Sequence, residues 1–157
     1  MFSSSRASAC LVLVTLGAAV AGCGGSSSGG GSAALTKAQI DSAANTICGA
    51  EATAGQAVPT PSNIQDATQA AAYFDQIDPI IAGATSKLVA LKPDSSVAAD
   101  WNAFIALRKQ ETTLIHTIRT KADAKDRSGL TDLQNSSALG QQVDAAATKV
   151  GAATCAE

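Results

Sequence analysis

The sequence predicts an all-α fold: an up-down-up-down four-helix bundle with one disulfide that joins the first helix to the C-terminus. Three observations favour it. Aromatic residues make up only 3% of the chain and alanine is abundant, a composition that suits closely packed helices better than sheets. Apolar residues recur at helical spacing in four stretches with short connections. Cys48 and Cys155 lie near the two ends of these stretches.

Residues 1–22 have the features of a secretory signal peptide. Arg6 precedes an apolar run over residues 7–21 that is too short to span a bilayer comfortably. The run closes with Val20-Ala21-Gly22-Cys23, and its small residues before a cysteine resemble the lipobox of bacterial lipoproteins. That resemblance implies cleavage before Cys23 and fatty acyl chains such as palmitate on this residue. It also implies export, with lipid anchoring to the outer face of the cell membrane.

The next segment is predicted to be a tether. Between residues 24 and 32 the chain contains only glycine and serine, which cannot bury apolar surface and form a flexible coil. With lipidated Cys23 at its start, the tether covers residues 23–34 and leaves residues 35–157 for one helical domain. The formal net charge of the full chain is −2, a balance that does not favour nucleic acid as a partner.

Two of the four cysteines remain for the folded domain. Cys10 would leave with the signal peptide and Cys23 would carry lipid, so Cys48 and Cys155 have only each other as partners. Export places them in an oxidising compartment, which favours a structural disulfide. The alternative is a metal or redox pair. It finds little support, since there is no Cys-x-x-Cys spacing and only one histidine, His116.

The first helix is predicted to begin at Thr36, which forms a capping-box pair with Gln39. Leu35 and Ile40 are placed for a hydrophobic staple around this cap. Ala44 and Ile47 continue the apolar face of Ile40, and glycine and proline in residues 55–61 break the pattern. We therefore expect one helix before this loop.

The second helix is predicted to begin between Ser62 and Asp66 and to extend to Leu91. Pro79 interrupts it in sequence, but the apolar spacing continues in phase across it, so we favour one kinked helix. The alternative is a split, in which Asp78 caps a new helix with Pro79 at its first position. The apolar face comprises Ala67, Ala70, Phe74, Ile77, Ile81, Ala84, Leu88 and Leu91.

The third and fourth helices follow short breaks. Pro93 ends the second helix, residues 94–96 offer a cap for the third, and residues 125–129 are a predicted turn. Small residues on the fourth helix, Gly140 among them, would permit close approach of a neighbour. The apolar faces comprise Val97, Trp101, Phe104, Leu107, Leu114, Ile115 and Ile118 on the third helix, and Leu130, Leu133, Gly140, Val143, Ala147 and Val150 on the fourth.

Glu111 is the candidate polar site residue, because it lies between Leu107 and Leu114 on the apolar side of the third helix. A buried carboxylate there would have a raised pKa and could bind a ligand or transfer a proton. The alternative is that its stem lies at the edge of the core and its head reaches water or a lysine. Trp101 and Phe104 are either core residues or, together with Glu111, the lining of a ligand pocket.

No set of residues in the sequence is typical of an enzyme, so we expect no catalysis, no metal and no cofactor. His116 has polar neighbours, which predicts an exposed side chain without a second histidine to complete a metal or haem site. The Gly-x-Ser-x-Gly pattern occurs only at residues 25–29, inside the predicted glycine and serine tether, where no strand or helix is expected to form a nucleophile elbow. Basic residues interrupt the acids around residues 123–132, where a calcium loop would need oxygen ligands.

Arg119, Lys121, Lys125 and Arg127 form a basic cluster at the end of the third helix and in the following turn. Cations there meet the helix dipole favourably. The alternative is an anionic partner, such as a lipid headgroup or a cell-wall polymer.

Several short segments resemble a loose group of uncharacterised small secreted or lipid-anchored bacterial proteins. They are Ile47-Cys48-Gly49-Ala50-Glu51, Ala72-Tyr73-Phe74, Asp78-Pro79-Ile80, Leu91-Lys92-Pro93, Asp100-Trp101, and Gly151 with Cys155. The resemblance covers most of residues 36–157 and implies no known activity. Gly129 and Ser136-Ser137 are less helix-forming than the group suggests.

Together these patterns predict a non-enzymatic, lipid-anchored interaction or envelope-structural module, with an envelope protein or a cell-wall polymer as partner. The alternative is a carrier or sensor that binds a small apolar ligand inside the bundle. Its site would comprise Trp101, Phe104 and Glu111, with Pro79 as the hinge.

Overall fold

The computed structural model describes residues 34–156, so the predicted signal peptide, Cys23 and all but the last residue of the tether lie outside the described residues. The described part confirms the predicted all-α fold with four helices and contains none that is long and apolar enough to cross a membrane. The helices are α1 (Lys37–Gln56), α2 (Ala67–Ala90), α3 (Ala98–Asp123) and α4 (Ser128–Val150), followed by a C-terminal 3₁₀ helix (Ala153–Ala156).

The start of α1 is fixed by the predicted capping box. The main-chain N–H of Gln39 donates to the Thr36 hydroxyl, and the N–H of Thr36 donates to Oε1 of Gln39 at 2.9 Å. Leu35 adds a second link, since its N–H donates to the carbonyl of Lys92 at 2.7 Å and its carbonyl accepts from the N–H of Asp94 at 2.9 Å. The beginning of α1 is therefore bonded to the connection between α2 and α3.

α2 is one continuous helix that contains Pro79, so the single-helix prediction is confirmed and the split at Asp78 is wrong. Asp66 is its N-cap and accepts from the N–H of Gln69 at 2.9 Å, within the predicted starting range. Pro79 is exposed while Ile77 and Asp78 beside it are buried. The proline ring thus lies on the solvent side, and the Asp78 carboxylate is used in tertiary contacts and not as a cap.

The predicted cap for α3 is wrong in detail. The N-cap is Val97, without a side-chain hydrogen bond, because the Asp94 carboxylate instead accepts from the N–H of Ser96 at 2.9 Å in a turn before the helix. The predicted turn over residues 125–129 is also too long, since α4 already begins at Ser128. Lys125 makes that turn with a left-handed φ of 57°.

The predicted close approach at Gly140 does not occur, because a Cβ added there would meet no atom within 4 Å. Gly129 has this role instead. A Cβ on Gly129 would lie 3.1 Å from the Cβ of Lys121, so the start of α4 passes close to the end of α3.

The core consists of two apolar clusters. The first cluster lies around Trp101 and Phe104, and the second around Phe74 and Ile118. Buried members of the first are Ile40, Ala44, Cys48, Leu88, Trp101, Phe104, Ile105, Val143, Ala147, Val150 and Ala152, and those of the second are Ala70, Phe74, Ile118 and Ala122.

Buried polar residues occupy the stretch between the two clusters. Along α3, buried Arg108 lies between Phe104 of the first cluster and Ile118 of the second. Along α2, buried Thr85 lies between Phe74 and Leu88, and its hydroxyl contacts the hydroxyl of Thr112 at 2.9 Å. Thr85, Arg108 and Thr112, here called the polar layer, therefore lie between the two clusters together with buried Ile77 and Ala84.

The predicted disulfide between Cys48 and Cys155 is confirmed, with the two Cα atoms 5.0 Å apart. It joins α1 to the C-terminal 3₁₀ helix. The carboxamide of Asn45 reinforces this link, because it donates to the carbonyl of Gly151 at 3.0 Å and accepts from the N–H of Thr154 at 2.8 Å.

Candidate functional site

A cavity of about 300 Å³ lies beside the polar layer and is lined by residues from all four helices. One wall is apolar and belongs to α2, where Tyr73, Ile77 and Ile81 follow each other at spacings of four residues. The opposite wall is charged. It contains Glu51 of α1, Arg108 and Glu111 of α3, and Asp144 of α4. The rest of the lining comprises the Cys48–Cys155 disulfide, Ala52, Gly55, Ile80, Val143 and Thr154.

Arg108 is the centre of the charged wall. Its Nη2 donates to both carboxylate oxygens of Glu51, at 2.7 and 2.8 Å, and its Nη1 donates to Oε2 of Glu111 at 2.6 Å. The Arg108 side chain is only 5% exposed, compared with 15% for Glu51 and 24% for Glu111. A planar guanidinium can hold two carboxylates in this way because its donors point in fixed directions.

The charged wall carries more negative than positive charge. Burial raises the pKa of Glu111, and the guanidinium of Arg108 opposes that rise. The carboxylates of Glu51 and Asp144 raise the pKa of Glu111 further. Two carboxylates, those of Glu51 and Glu111, therefore share one guanidinium, and the exposed carboxylate of Asp144 acts on Glu111 through its charge.

One donor in this wall remains unused by the protein. Nε of Arg108 is buried and has no hydrogen-bond partner within residues 34–156. Most buried polar groups in folded proteins are hydrogen-bonded, since an unpaired donor loses the free energy of its bond to water. An acceptor that enters the site would reach this N–H only after a movement of the Arg108 side chain, because Nε itself is not exposed at the cavity surface.

The structure places the three predicted ligand-binding residues in two different environments. Trp101 and Phe104 are 2% and 0% exposed, with ring centroids 5.4 Å apart in the first core cluster, and neither lines the cavity. Glu111 is half-buried, lines the cavity and reaches Arg108. Its head contacts the buried arginine Arg108, whereas the edge-of-core alternative expected water or a lysine.

Sequence reasoning missed Glu51, Arg108 and Asp144 as members of the site. A signal was present, since Arg108 follows Trp101 and Phe104 by seven and four residues and so shares their helix face. Glu51 likewise follows Ala44 by seven residues. Charges of opposite sign at core positions of two helices would have indicated a buried ion pair.

A second polar cluster joins α2 to α3 around buried Asp78. Its Oδ2 lies 3.0 Å from Nδ1 of His116 and accepts from Nη1 of Arg119 at 3.1 Å. Although burial raises the pKa of Asp78, the hydrogen bonds from His116 and Arg119 outweigh it and hold the pKa below its ordinary value. His116 is 63% exposed, which confirms the predicted orientation, and its contact with Asp78 is an addition to that prediction.

Half of the predicted basic cluster is neutralised by ion pairs within the protein. Arg119 also donates from Nε to Asp75 at 2.7 Å, and Lys121 donates to Asp132 at 2.6 Å. Two of its four cations are thus engaged in ion pairs between helices, which weakens the expectation of an anionic partner at this end of α3.

Comparisons with protein-family models, curated proteins and solved structures found no match for this chain. Residues 34–156 contain no group of three His, Cys, Asp or Glu side chains that could hold a metal ion. We take the cavity between α2 and the Glu51–Arg108–Glu111 cluster as the candidate site, because apolar and charged side chains from all four helices meet there. Its walls are suited to bind a molecule with one apolar and one polar end.

Proposed function

We propose that this protein is an exported lipoprotein, anchored through Cys23 to the outer face of the cell membrane, and that it carries or senses a small amphipathic molecule. The molecule would bind in the cavity of about 300 Å³, and the function would be non-enzymatic. The signal-like segment and the Val20-Ala21-Gly22-Cys23 sequence support the anchor. Two acyl chains would suffice for stable attachment, because they exceed the marginal hold of one.

We further propose an up-down-up-down order for the four helices. Contacts between successive helices support this order. Residues later in one helix contact residues earlier in the next helix, as expected for antiparallel neighbours. Leu35, before α1, bonds to Lys92, after α2. The other pairs are Asp78–His116 and Thr85–Thr112 between α2 and α3, and Asp100–Lys149 and Lys121–Asp132 between α3 and α4.

The observation that carries the proposed binding function is the opposite character of the two cavity walls. Tyr73, Ile77 and Ile81 offer an apolar surface, and the Glu51–Arg108–Glu111 cluster offers charged groups that are held in fixed positions by one another. Small-molecule sites commonly combine an apolar lining with a few placed polar groups, and their volumes begin at about 300 Å³.

Gly55 provides a direct test. It lies in the cavity wall, and a Cβ added there meets no atom within 4 Å, so Gly55→Leu would narrow the cavity without a collision at its Cβ. Gly140→Leu is the matched control, because Gly140 is also in a helix with no atom within 4 Å of an added Cβ and does not line this cavity. Both substitutions replace a glycine within a helix by a better helix former.

The experiment is native mass spectrometry of the full-length protein extracted gently from its own membrane. The proposal expects an acyl mass on the Cys23 peptide, and a bound small molecule in the wild type and Gly140→Leu that is lost in Gly55→Leu. A cysteine without acyl groups would overturn the anchor. Wild-type protein without a small molecule, or a bound molecule equally abundant in both variants, would overturn the cavity as the binding site.

An interaction or envelope-structural module is the second candidate function. The observation that favours it is a wide groove beside the cavity, lined by the loop residues from Thr60 to Ile64 and by apolar side chains of α2, α3 and α4. An envelope protein or a cell-wall polymer would cover this groove. Co-extraction of such a partner, with the cavity empty in every variant, would favour this function over the carrier.

A further inference from the structure

We infer that the molecule bound in this cavity is a small cationic amphiphile, whose head carries an ammonium group with an oxygen acceptor next to it and whose body is an aliphatic chain. This inference rests on the proposed binding function and specifies the chemical class of its ligand. It is argued from three features of the cavity: the charge of one wall, the unused donor of Arg108 and the apolar surface that continues from the opposite wall.

The charge of the wall selects a cation. Glu51, Glu111 and Asp144 line the cavity together with a single basic residue, Arg108. Both oxygens of Glu51 are bound to Arg108, but Glu111 uses only Oε2 for this contact among the described residues. Oε1 of Glu111 can therefore accept a hydrogen bond from a ligand ammonium, and such a charge-assisted bond is stronger than one between neutral groups.

The second feature is the buried Nε–H of Arg108, which lacks a partner within the described residues. An ammonium group has donors only and cannot satisfy it. After a movement of the Arg108 side chain that exposes Nε, a hydroxyl or carbonyl oxygen beside the ammonium would accept from it while the ammonium donates to Glu111. A head group with both functions would therefore match the donors and acceptors of this wall.

The third feature concerns the body of the ligand. Tyr73, Ile77 and Ile81 line both the cavity and the neighbouring groove, where Ile115 and Leu133 extend the apolar surface. An aliphatic chain attached to a head at Glu111 could therefore continue along α2 without entering the packed core. The ring of Tyr73 adds a face that attracts a cation if the ammonium lies near it.

The test compares three probes with the same chain length: 2-amino-1-hexanol, n-hexylamine and hexanoate. Each is titrated into the lipid-anchored protein in nanodiscs, and binding is followed through the methyl NMR signals of Ile77 and Ile81, with empty nanodiscs as the blank. We expect hexylamine to bind at least about tenfold more tightly than hexanoate, and the amino alcohol to bind more tightly still.

Two variants examine the role of the wall. Glu111→Gln should weaken binding of both amines about tenfold, because it removes the charge that the ammonium meets. Asp100→Asn is the matched control, since Asp100 pairs with Lys149 on the surface and does not line the cavity; it should leave the affinities unchanged. Thermal unfolding of each variant verifies that the fold is retained.

The outcomes separate this inference from the proposed function. Hexanoate affinity equal to or above that of hexylamine, or amine affinity unchanged in Glu111→Gln, would overturn the cationic ligand while leaving a binding cavity. An amino alcohol no tighter than hexylamine would overturn the oxygen acceptor. A native ligand that is lost in Gly55→Leu, without binding of either amine, would overturn the ligand class alone. No native ligand and no probe binding would overturn both proposals.

Discussion

Arg108 of α3 and Glu51 of α1 form an ion pair, with Nη2 of the arginine 2.7 and 2.8 Å from the two carboxylate oxygens. The pair joins residues 57 positions apart and lies in a polar layer between two apolar clusters. Buried ion pairs are costly to assemble because both charges lose water, so they are a poor way to stabilise a core. Their presence beside a cavity is consistent with a role in binding.

Arg108→Met should lower the free energy of unfolding by about 3 kcal/mol, because it leaves Glu51 and Glu111 with unpaired, mostly buried charges. The triple variant Glu51→Leu, Arg108→Met, Glu111→Leu should recover most of this loss, since apolar residues replace the whole cluster. Urea unfolding followed by circular dichroism measures both. A triple variant as unstable as the single one would contradict this explanation.

The pKa of Glu111 should lie above its ordinary value, first because of burial. Since the folded state then binds protons more strongly than the unfolded state, the contribution of Glu111 to stability is present below its unfolded pKa and is lost as pH rises through its folded pKa. Carbon-detected NMR titration reads this pKa directly. Asp144→Asn should lower the pKa of Glu111, because Asp144 raises it electrostatically. Asp100→Asn should leave the pKa of Glu111 unchanged. A Glu111 that titrates like a free carboxyl would contradict the raised pKa.

Asp78→Asn should lower the free energy of unfolding at neutral pH by about 1 to 2 kcal/mol, because Asp78 accepts charge-assisted hydrogen bonds from α3. The folded pKa of Asp78 is lowered, so its contribution is present above the unfolded pKa and is lost as pH falls through the folded pKa. The free energies of unfolding of the wild type and the variant should therefore become similar in acid. A difference in thermal stability that stays constant with pH would exclude this mechanism.

The double variant Cys48→Ala, Cys155→Ala should lower the free energy of unfolding by roughly 4 to 5 kcal/mol. The disulfide joins residues 107 positions apart, and without it the unfolded chain gains conformational entropy. Guanidinium unfolding measures this change. Reduction of the wild type with dithiothreitol should lower its midpoint similarly, whereas the double variant should not respond. An unchanged wild-type midpoint after verified reduction would show that the disulfide does not stabilise the fold.

Gly151→Ala should destabilise the domain by about 1 to 2 kcal/mol, because Gly151 ends α4 in the left-handed region with φ of 82°. An added Cβ would also lie 2.6 Å from the Asp41 carboxylate, which must then move. Gly83→Ala is the control. It lies in α2 with no atom within 4 Å of an added Cβ and should raise stability by up to about 1 kcal/mol. Thermal unfolding compares them, and equal effects would contradict the prediction.

Most of the fold could be predicted because its determinants are local. Thr36 and Gln39 form a cap within one helical turn, and Asp66 does the same with Gln69. The unbroken apolar phase across Pro79 correctly indicated one helix. Errors arose where a residue had two local partners, as Asp94 did, because sequence alone does not tell whether its carboxylate bonds within a turn or caps the helix that follows.

The candidate site could be predicted only in part. Glu111 was recognised from its place on an apolar face, but its partner Arg108 was not. Burial of a charged residue is unfavourable without a counter-charge, and the sequence does not show that Glu51 of another helix supplies it. Trp101 and Phe104 lie on the inner face of α3, where either core residues or pocket-lining residues would lie. Their packing with Leu88 and Val143 in one buried cluster shows that they are core residues.

The sequence by itself determined the number of helices, their approximate ends and the pairing of Cys48 with Cys155, because spacing, caps and the count of remaining cysteines depend on neighbours along the chain or on composition. Tertiary structure alone decided that Glu51, Arg108, Glu111 and Asp144 share one cavity wall. The physical reason is that the free energy of a buried charge depends on the charges and hydrogen bonds that surround it in space, and here those come from three different helices.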